Sequence, residues 1–119
     1  RKYVPEFKSV IGTTQVEPRP SVYNFGGFTD GDRSVFLAIG MGAKLVALAG
    51  MDLGQVVGKY SKKKVSSVEV KILKLKICKE LLEWRASRVN IPLYNVTGRG
   101  ESIAGFINVK SSELTKIVQ

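Results

Sequence analysis

Histidine is absent from this sequence, and cysteine occurs once, at Cys78. The lack of histidine excludes Ser-His and Cys-His nucleophile pairs and the usual zinc sites. A single cysteine excludes a disulfide within the chain, which is typical of a reducing compartment. Any catalysis must therefore use carboxylates, lysine, arginine, hydroxyls, backbone amides or a hard cation such as Mg²⁺.

Long apolar runs are also lacking. No stretch approaches the roughly 18 to 20 apolar residues that a membrane-spanning helix requires. No charged-then-apolar leader with a cleavage site is visible either. We therefore expect a cytoplasmic protein without a membrane partner. The first residue is Arg1 rather than Met, so we expect a piece of a longer protein.

The apolar content of 44% in 119 residues suits one packed domain, residues 1–119. The net charge of +9 favours an anionic partner such as a nucleotide, a phosphate or a nucleic acid. A lysine-rich solvated surface, as in heat-adapted proteins, explains the charge equally well. Oligomeric state stays open, a homo-oligomer included.

Hydrophobic periodicity and punctuation by glycine and proline predict three strands and three helices. The strands are expected at residues 7–14, 44–49 and 91–94, and the helices after Thr29, at 66–88 and at 111–118. Residues 15–28, 51–64 and 95–102 are predicted loops. The long helix is expected to bury one stripe, and Trp84 is expected in the core; the stripe comprises Val68, Ile72, Leu75, Cys78 and Leu82.

The order β-α-β-α-β predicts an α/β fold, a mostly parallel sheet with helices on both faces. The first strand begins near the start of the chain, so the sheet is expected to be incomplete on its N-terminal side. Ligands of such sheets bind beyond the carboxyl ends of the strands. Polar and glycine residues gather at those predicted ends, in segments 12–15, 50–54 and 95–101, and in segment 24–33 where a helix opens.

Each of these segments has a purely structural interpretation as well. Thr29 is a good N-cap, and Asp30 and Asp32 suit the positive end of a helix dipole. Alternatively, both carboxylates fit beside Mg²⁺, a substrate nitrogen or Arg33. Asp52 is a plausible turn former. Neither a Walker A motif nor a dinucleotide Gly-x-Gly-x-x-Gly motif follows the first strand.

The segments Gly-Thr-Thr-Gln at 12–15, Asn-Phe-Gly-Gly-Phe-Thr-Asp-Gly-Asp-Arg at 24–33, Ala-Gly-Met-Asp-Leu-Gly at 49–54 and Gly-Lys-Tyr-Ser at 58–61 carry a family resemblance. Together with Leu-Tyr-Asn-Val-Thr at 93–97, they resemble the archaeal 6-hydroxymethyl-7,8-dihydropterin diphosphokinase family, which includes bacterial motility-associated factors. The resemblance implies a fold like the thiamine pyrophosphokinase catalytic domain. It also implies Mg²⁺-assisted transfer of diphosphate from ATP to a pterin, toward tetrahydromethanopterin or folate-type carriers.

The resemblance also implies a set of site residues. Asp30, Asp32 and Arg33 would be catalytic, and Asp30, Asp32 and Asp52 would bind the metal. The residues expected to bind nucleotide or substrate are Gly12, Thr13, Thr14, Gln15, Asn24, Gly26, Gly27, Thr29, Asp52, Gly54, Lys59, Asn95 and Thr97. Two family motifs, Asp-Leu-Asp-Gly and a His-rich segment ending Gly-Asp-Asn, are missing here. The chain is thus expected to be the C-terminal part of a catalytic domain, to hold only part of the site, and to be inactive alone if so.

Two other functions stay open. A motility-factor-like glycosyltransferase would use a nucleotide-activated sugar at the same loops. A basic nucleic-acid-binding module would use Lys62–Lys64, but exposed aromatics interleaved with the basic residues are lacking.

Overall fold

The computed structural model describes residues 6–54 and 68–118. Its elements, in chain order, are β1 (Gly12–Thr13), β2 (Val22–Tyr23), α1 (Asp30–Gly40), β3 (Val46–Leu48), α2 (Val68–Ala86), β4 (Leu93–Asn95), β5 (Ile107–Asn108) and α3 (Ser111–Val118). All strand pairings between these elements are parallel. The α/β class with parallel sheets is thereby confirmed, whereas placement of helices on both faces and the extent of the domain stay predictions.

The larger sheet has the order β3-β4-β5, and the connection from β3 to β4 contains α2. Val46 lies opposite Leu93 and Leu48 opposite Asn95, so β3 and β4 end at the same edge. The amide of Val96 donates to the carbonyl of Leu48 at 2.8 Å and extends this ladder. This common edge is where the polar segments were expected.

The first predicted strand is not part of that sheet among the described residues. Only Gly12–Thr13 is extended, and it pairs with β2 inside the predicted loop 15–28. The prediction of one strand over residues 7–14 in a common sheet was therefore wrong. Two-residue strands leave no alternation of apolar and polar residues, and β5 was missed for the same reason.

The core lies between the β3-β4-β5 sheet, α1 and α2. Its buried members are Val35, Val46, Leu48, Leu53, Cys78, Leu82, Leu93, Ile103 and Phe106. The predicted stripe of α2 is correct at Cys78 and Leu82, and Leu75 packs against this core. Val68 is 58% exposed, Ile72 37% and Trp84 48%, so the prediction that these three are buried was wrong. The buried residues of α2, Cys78 and Leu82, lie in its second half.

The helix from the Thr29 cap and the helix at Ser111–Val118 are confirmed. Within the described ranges, no helix combines the length and the apolar character needed to cross a bilayer.

We expect Leu82→Ala to lower the free energy of unfolding by about 2–5 kcal/mol, because the substitution leaves a cavity at a fully buried position. Leu73→Ala is the matched control, since Leu73 lies on the same helix and is 56% exposed. Urea denaturation followed by circular dichroism measures both. Equal losses in the two variants would contradict this assignment of the core.

Candidate functional site

Asp32 is fully buried, and its carboxylate organises the start of α1. Oδ2 accepts a hydrogen bond from the amide of Phe28 at 2.8 Å. Oδ1 accepts from the amide of Thr29 at 2.6 Å, from the Thr29 hydroxyl at 2.7 Å and from the amide of Arg33 at 3.1 Å. Asp32 therefore occupies the third helical position of a capping box, and both of its oxygens are engaged by the protein.

Thr29 connects this cap to α2. Its Oγ1 lies 3.4 Å from the Sγ of Cys78, which is 1% exposed. Burial raises the pKa of the Cys78 thiol, and the nearby Asp32 carboxylate acts in the same direction. Cys78 is thus a neutral packing residue that positions the cap.

The segment before the cap lies directly against α1. Gly26 has a φ of +94°, and a Cβ there would lie 2.6 Å from the ring of Phe36. A Cβ at Gly27 would lie 2.7 Å from the amide nitrogen of Arg33. Asn24 fixes the entry, because its side chain donates to the carbonyl of Val16 and accepts from the amide of Gly26. Asn24, Gly26 and Gly27 thus shape the backbone before α1. Their role in binding nucleotide or substrate stays a prediction.

Asp30 has a different environment from Asp32. Its side chain is 98% exposed and forms an ion pair with the guanidinium of Arg33. Asp30 and Thr29 also line a cavity of about 270 Å³ with Gln15, Phe28 and Lys74. The first predicted segment, at Gln15, therefore meets the start of α1 at this cavity.

The ends of β3 and β4 are tied together by polar contacts. The amide of Met51 donates to the Thr97 hydroxyl at 3.0 Å, and the amide of Thr97 donates to Asn95 Oδ1 at the same distance. A Cβ at Gly31 would lie 2.6 Å from the methyl carbon of Met51, so the first turn of α1 also reaches this edge. Asn95 is 4% exposed.

Asp52 follows β3 and faces the loop after β4. Its Oδ1 accepts from the amide of Gly54 at 3.1 Å, and its Oδ2 lies 3.4 Å from Arg99 Nε. Gly100 has a φ of +88°, and a Cβ there would lie 2.9 Å from Asp52 Oδ1. Asp52 thus forms the predicted turn and also holds the loop at 98–100.

Of the remaining predicted residues, Gly12 and Thr13 form β1, next to β2. The Thr14 hydroxyl accepts from the amide of Val16 at 3.2 Å, a local turn. Lys59, like Lys62–Lys64, lies outside the described residues. The four polar segments therefore lie next to one another in space. Segment 12–15 shares a cavity with the start of α1, α1 lies against Met51, and Met51 is hydrogen-bonded to Thr97.

The metal assignment is not supported by the arrangement of carboxylates. Among residues 6–54 and 68–118, no three Cys, Asp or Glu side chains come together as a group that could hold a metal ion. Asp32 is engaged by backbone donors, and Asp30 and Asp52 are paired with arginines. The described residues alone do not fit a Mg²⁺ site, so the three assigned ligands stay a prediction.

Lys74, Arg99 and Lys110 were missed as candidates by sequence reasoning. Lys74 belongs to the long helix, outside the four polar segments, yet it lines the cavity beside Asp30. Arg99 lies within the third polar segment, where its charge was the available signal. Lys110 follows β5, which no periodicity revealed.

Three archaeal proteins are similar to this chain, and each is named 6-hydroxymethyl-7,8-dihydropterin pyrophosphokinase. The protein of Pyrococcus furiosus is 54% identical over 85 residues, 68% of this chain and 37% of its own length. That of Methanothermobacter thermautotrophicus is 48% identical over 89 residues, 71% and 38% of the two lengths. That of Methanocaldococcus jannaschii is 40% identical over 101 residues, 76% and 42%.

The chain therefore spans about two fifths of the length of these curated relatives. The family resemblance drawn from the motifs is confirmed by them. No family model matches the chain, and no solved structure matches it.

We expect Asp32→Asn to lower the free energy of unfolding by about 1–3 kcal/mol. The NH₂ group of asparagine would replace one carboxylate oxygen, so a backbone N–H that now has an acceptor would face another donor. Asp30→Asn should leave the free energy of unfolding nearly unchanged, since that side chain is exposed. Thermal and chemical denaturation compare the two isosteric changes. An unchanged free energy of unfolding in Asp32→Asn would contradict the capping role.

The native thiol of Cys78 should react with iodoacetamide about 100-fold or more slowly than the unfolded chain at pH 8, because the thiol is buried and its raised pKa lowers the thiolate fraction. Mass spectrometry with and without urea gives both rates, and the single cysteine makes the signal unambiguous. Similar rates in both states would place Cys78 in contact with solvent.

Proposed function

This chain belongs to one family with the archaeal 6-hydroxymethyl-7,8-dihydropterin pyrophosphokinases, and on that premise we propose that the polypeptide carrying it is a diphosphotransferase. The proposed reaction moves the terminal diphosphate of ATP to the hydroxymethyl oxygen of the pterin and releases AMP. The observation that carries the proposal is the shared name of three relatives that are 40–54% identical to this chain. The product would serve tetrahydromethanopterin or folate-type cofactor synthesis.

The arrangement of the polar segments supports this choice. Diphosphoryl transfer requires that two ligands be positioned and that the charge of the phosphates be neutralised, and neither task calls for histidine. The segments at 12–15, 24–33, 50–54 and 95–97 adjoin one another at the carboxyl ends of parallel strands. Ligands of open α/β sheets bind at such edges.

The proposal divides the predicted catalytic residues into two roles. Asp30, with Arg33 and Lys74 near it, borders a cavity and is available to a ligand. Asp32 has no free oxygen toward a ligand and acts as a positioning residue, because it holds the backbone at Phe28 and Thr29. Asp52, Asn95 and Thr97 would shape the neighbouring loops, with Gly12, Thr13, Thr14 and Gln15 closing the other side.

A requirement for Mg²⁺ is part of the proposal. The described carboxylates do not form a group for this ion, so its ligands would have to include carboxylates other than these. When bound, Mg²⁺ neutralises phosphate charge. A thiamine pyrophosphokinase-like catalytic domain is also proposed, with which parallel strands joined through helices are compatible.

The test uses the full polypeptide that carries this sequence, incubated with ATP, Mg²⁺ and 6-hydroxymethyl-7,8-dihydropterin. We expect AMP and pterin diphosphate in equal amounts by chromatography, and none after EDTA treatment. Asp30→Asn should lower the rate by about tenfold or more, because Asp30 faces the ligand cavity. Glu69→Gln is the matched control, an exposed carboxylate in the first turn of α2, and should keep the wild-type rate.

A folded protein that makes no AMP would refute the pterin kinase. Thermal stabilisation by CTP or CMP rather than by ATP would favour a motility-factor-like transferase instead. A wild-type rate in Asp30→Asn would remove Asp30 from the ligand site while leaving the reaction in place.

A further inference from the structure

A second cavity, of about 420 Å³, lies beyond the ends of β4 and β5, where α3 begins. Its lining includes Asn95 at the end of β4, the loop from Gly98 to Ser102, and Lys110 just before α3. The volume is within the usual range of small-molecule sites, about 300–1,000 Å³. None of the predicted site residues except Asn95 contributes to it.

The carboxylates that line this cavity are already engaged. Glu101 pairs with Lys79 at 2.8 Å, and this hydrogen bond raises the pKa of Lys79. Glu113 Oε2 accepts the amide hydrogen of Lys110 at 2.7 Å and so caps α3. Glu101 is therefore neutralised in part by Lys79, and Glu113 is held at the helix start by a backbone amide.

The cationic groups are available in contrast. Arg99 is 81% exposed, and its ion pair with Asp52 has a separation of 3.4 Å, which leaves most of the guanidinium donors free. The ammonium group of Lys110 has no ion-pair partner among the described residues. Two cations thus face one cavity from two different connections.

The backbone around these cations also suits an anion. Gly98 and Gly100 have φ values of +75° and +88°, and a Cβ at Gly98 would meet nothing within 4 Å. A ligand oxygen can therefore approach the main chain closely at this loop. The amide of Glu113 already donates to the carbonyl of Lys110 at 2.9 Å, so the amides of Ser111 and Ser112 before it are those that add a weak positive potential at the same side.

We propose that this cavity binds the polyphosphate group of the nucleotide, with Arg99 and Lys110 as its charged ligands. Guanidinium and ammonium groups recognise phosphate oxygens through charge-assisted hydrogen bonds. The inference rests on the proposed function and deepens it, because it assigns the phosphates to the β4 and β5 ends. The cavity at Asp30 is then left for the other parts of the ligands.

Inorganic diphosphate, without Mg²⁺, is titrated into the full polypeptide by isothermal calorimetry. We expect Arg99→Ala and Lys110→Ala each to raise the dissociation constant about tenfold, and Arg99→Lys to raise it less because the charge is kept. Lys116→Ala is the matched control, an exposed lysine in the last turn of α3 that does not line the cavity. It should change the dissociation constant less than about twofold.

An unchanged dissociation constant in both cavity variants would overturn the proposal. An equal loss in Lys116→Ala would overturn it too, because general attraction by the basic surface would then explain the binding. Folding of every variant is checked by circular dichroism; both cations are exposed, so substitution leaves no buried gap.

The same variants separate this inference from the proposed reaction. Formation of AMP at the wild-type rate and KM for ATP in both variants would leave the function in place and remove the phosphate site. Diphosphate binding that depends on Arg99 and Lys110, in a protein that forms no pterin diphosphate, would support the anion site and refute the reaction.

Discussion

The start of α1 and the neighbouring polar edge depend on the hydrogen bonds of the Asp32 carboxylate. A buried carboxylate without partners would be strongly destabilising, by several kcal/mol or more. Here four hydrogen-bond donors, which belong to Phe28, Thr29 and Arg33, offset that cost. Because these donors lie before and after the helix start, the hydrogen bonds to one carboxylate fix the backbone on both sides of it. Through Thr29 and Cys78 the same network reaches α2. The position of Asp30 at the cavity follows from this cap.

This arrangement explains how one motif can be both a structural cap and a mark of function. The glycines at 26 and 27 are required because side chains there would collide with α1, and Asp32 is required because the approaching amides need an acceptor. Asp30 has no comparable buried contact, since its side chain is exposed and its partner is the guanidinium of Arg33. The structural interpretation of the block at 24–33 therefore applies to Asp32, whereas the proposed functional one concerns Asp30.

How far the sequence predicts the structure depends on the range of the interactions involved. α1 and α3 were predictable because their start signals are local, a cap residue and a change of periodicity. The two-residue strands and the exposed start of α2 depend on distant partners, and periodicity carries no information on those. The contact of Met51 with Thr97 follows from parallel strand ends, so the meeting of these loops could be inferred. That Arg99 and Lys110 line the same cavity could not be predicted, because β5 leaves no signal in the sequence.

The carboxylates of the described region are mostly committed to the protein itself, Asp32 to the cap, Glu113 to α3 and Glu101 to Lys79. A site that handles polyphosphate must neutralise several negative charges, by cations of the protein or by a metal with its own carboxylates. Because these carboxylates are engaged, this part of the molecule can neutralise phosphate charge mainly through its own cations. The exposed side chains of Arg99 and Lys110 at the strand ends are what the proposed phosphate site would require, and the net charge of +9 would favour the same anionic ligand.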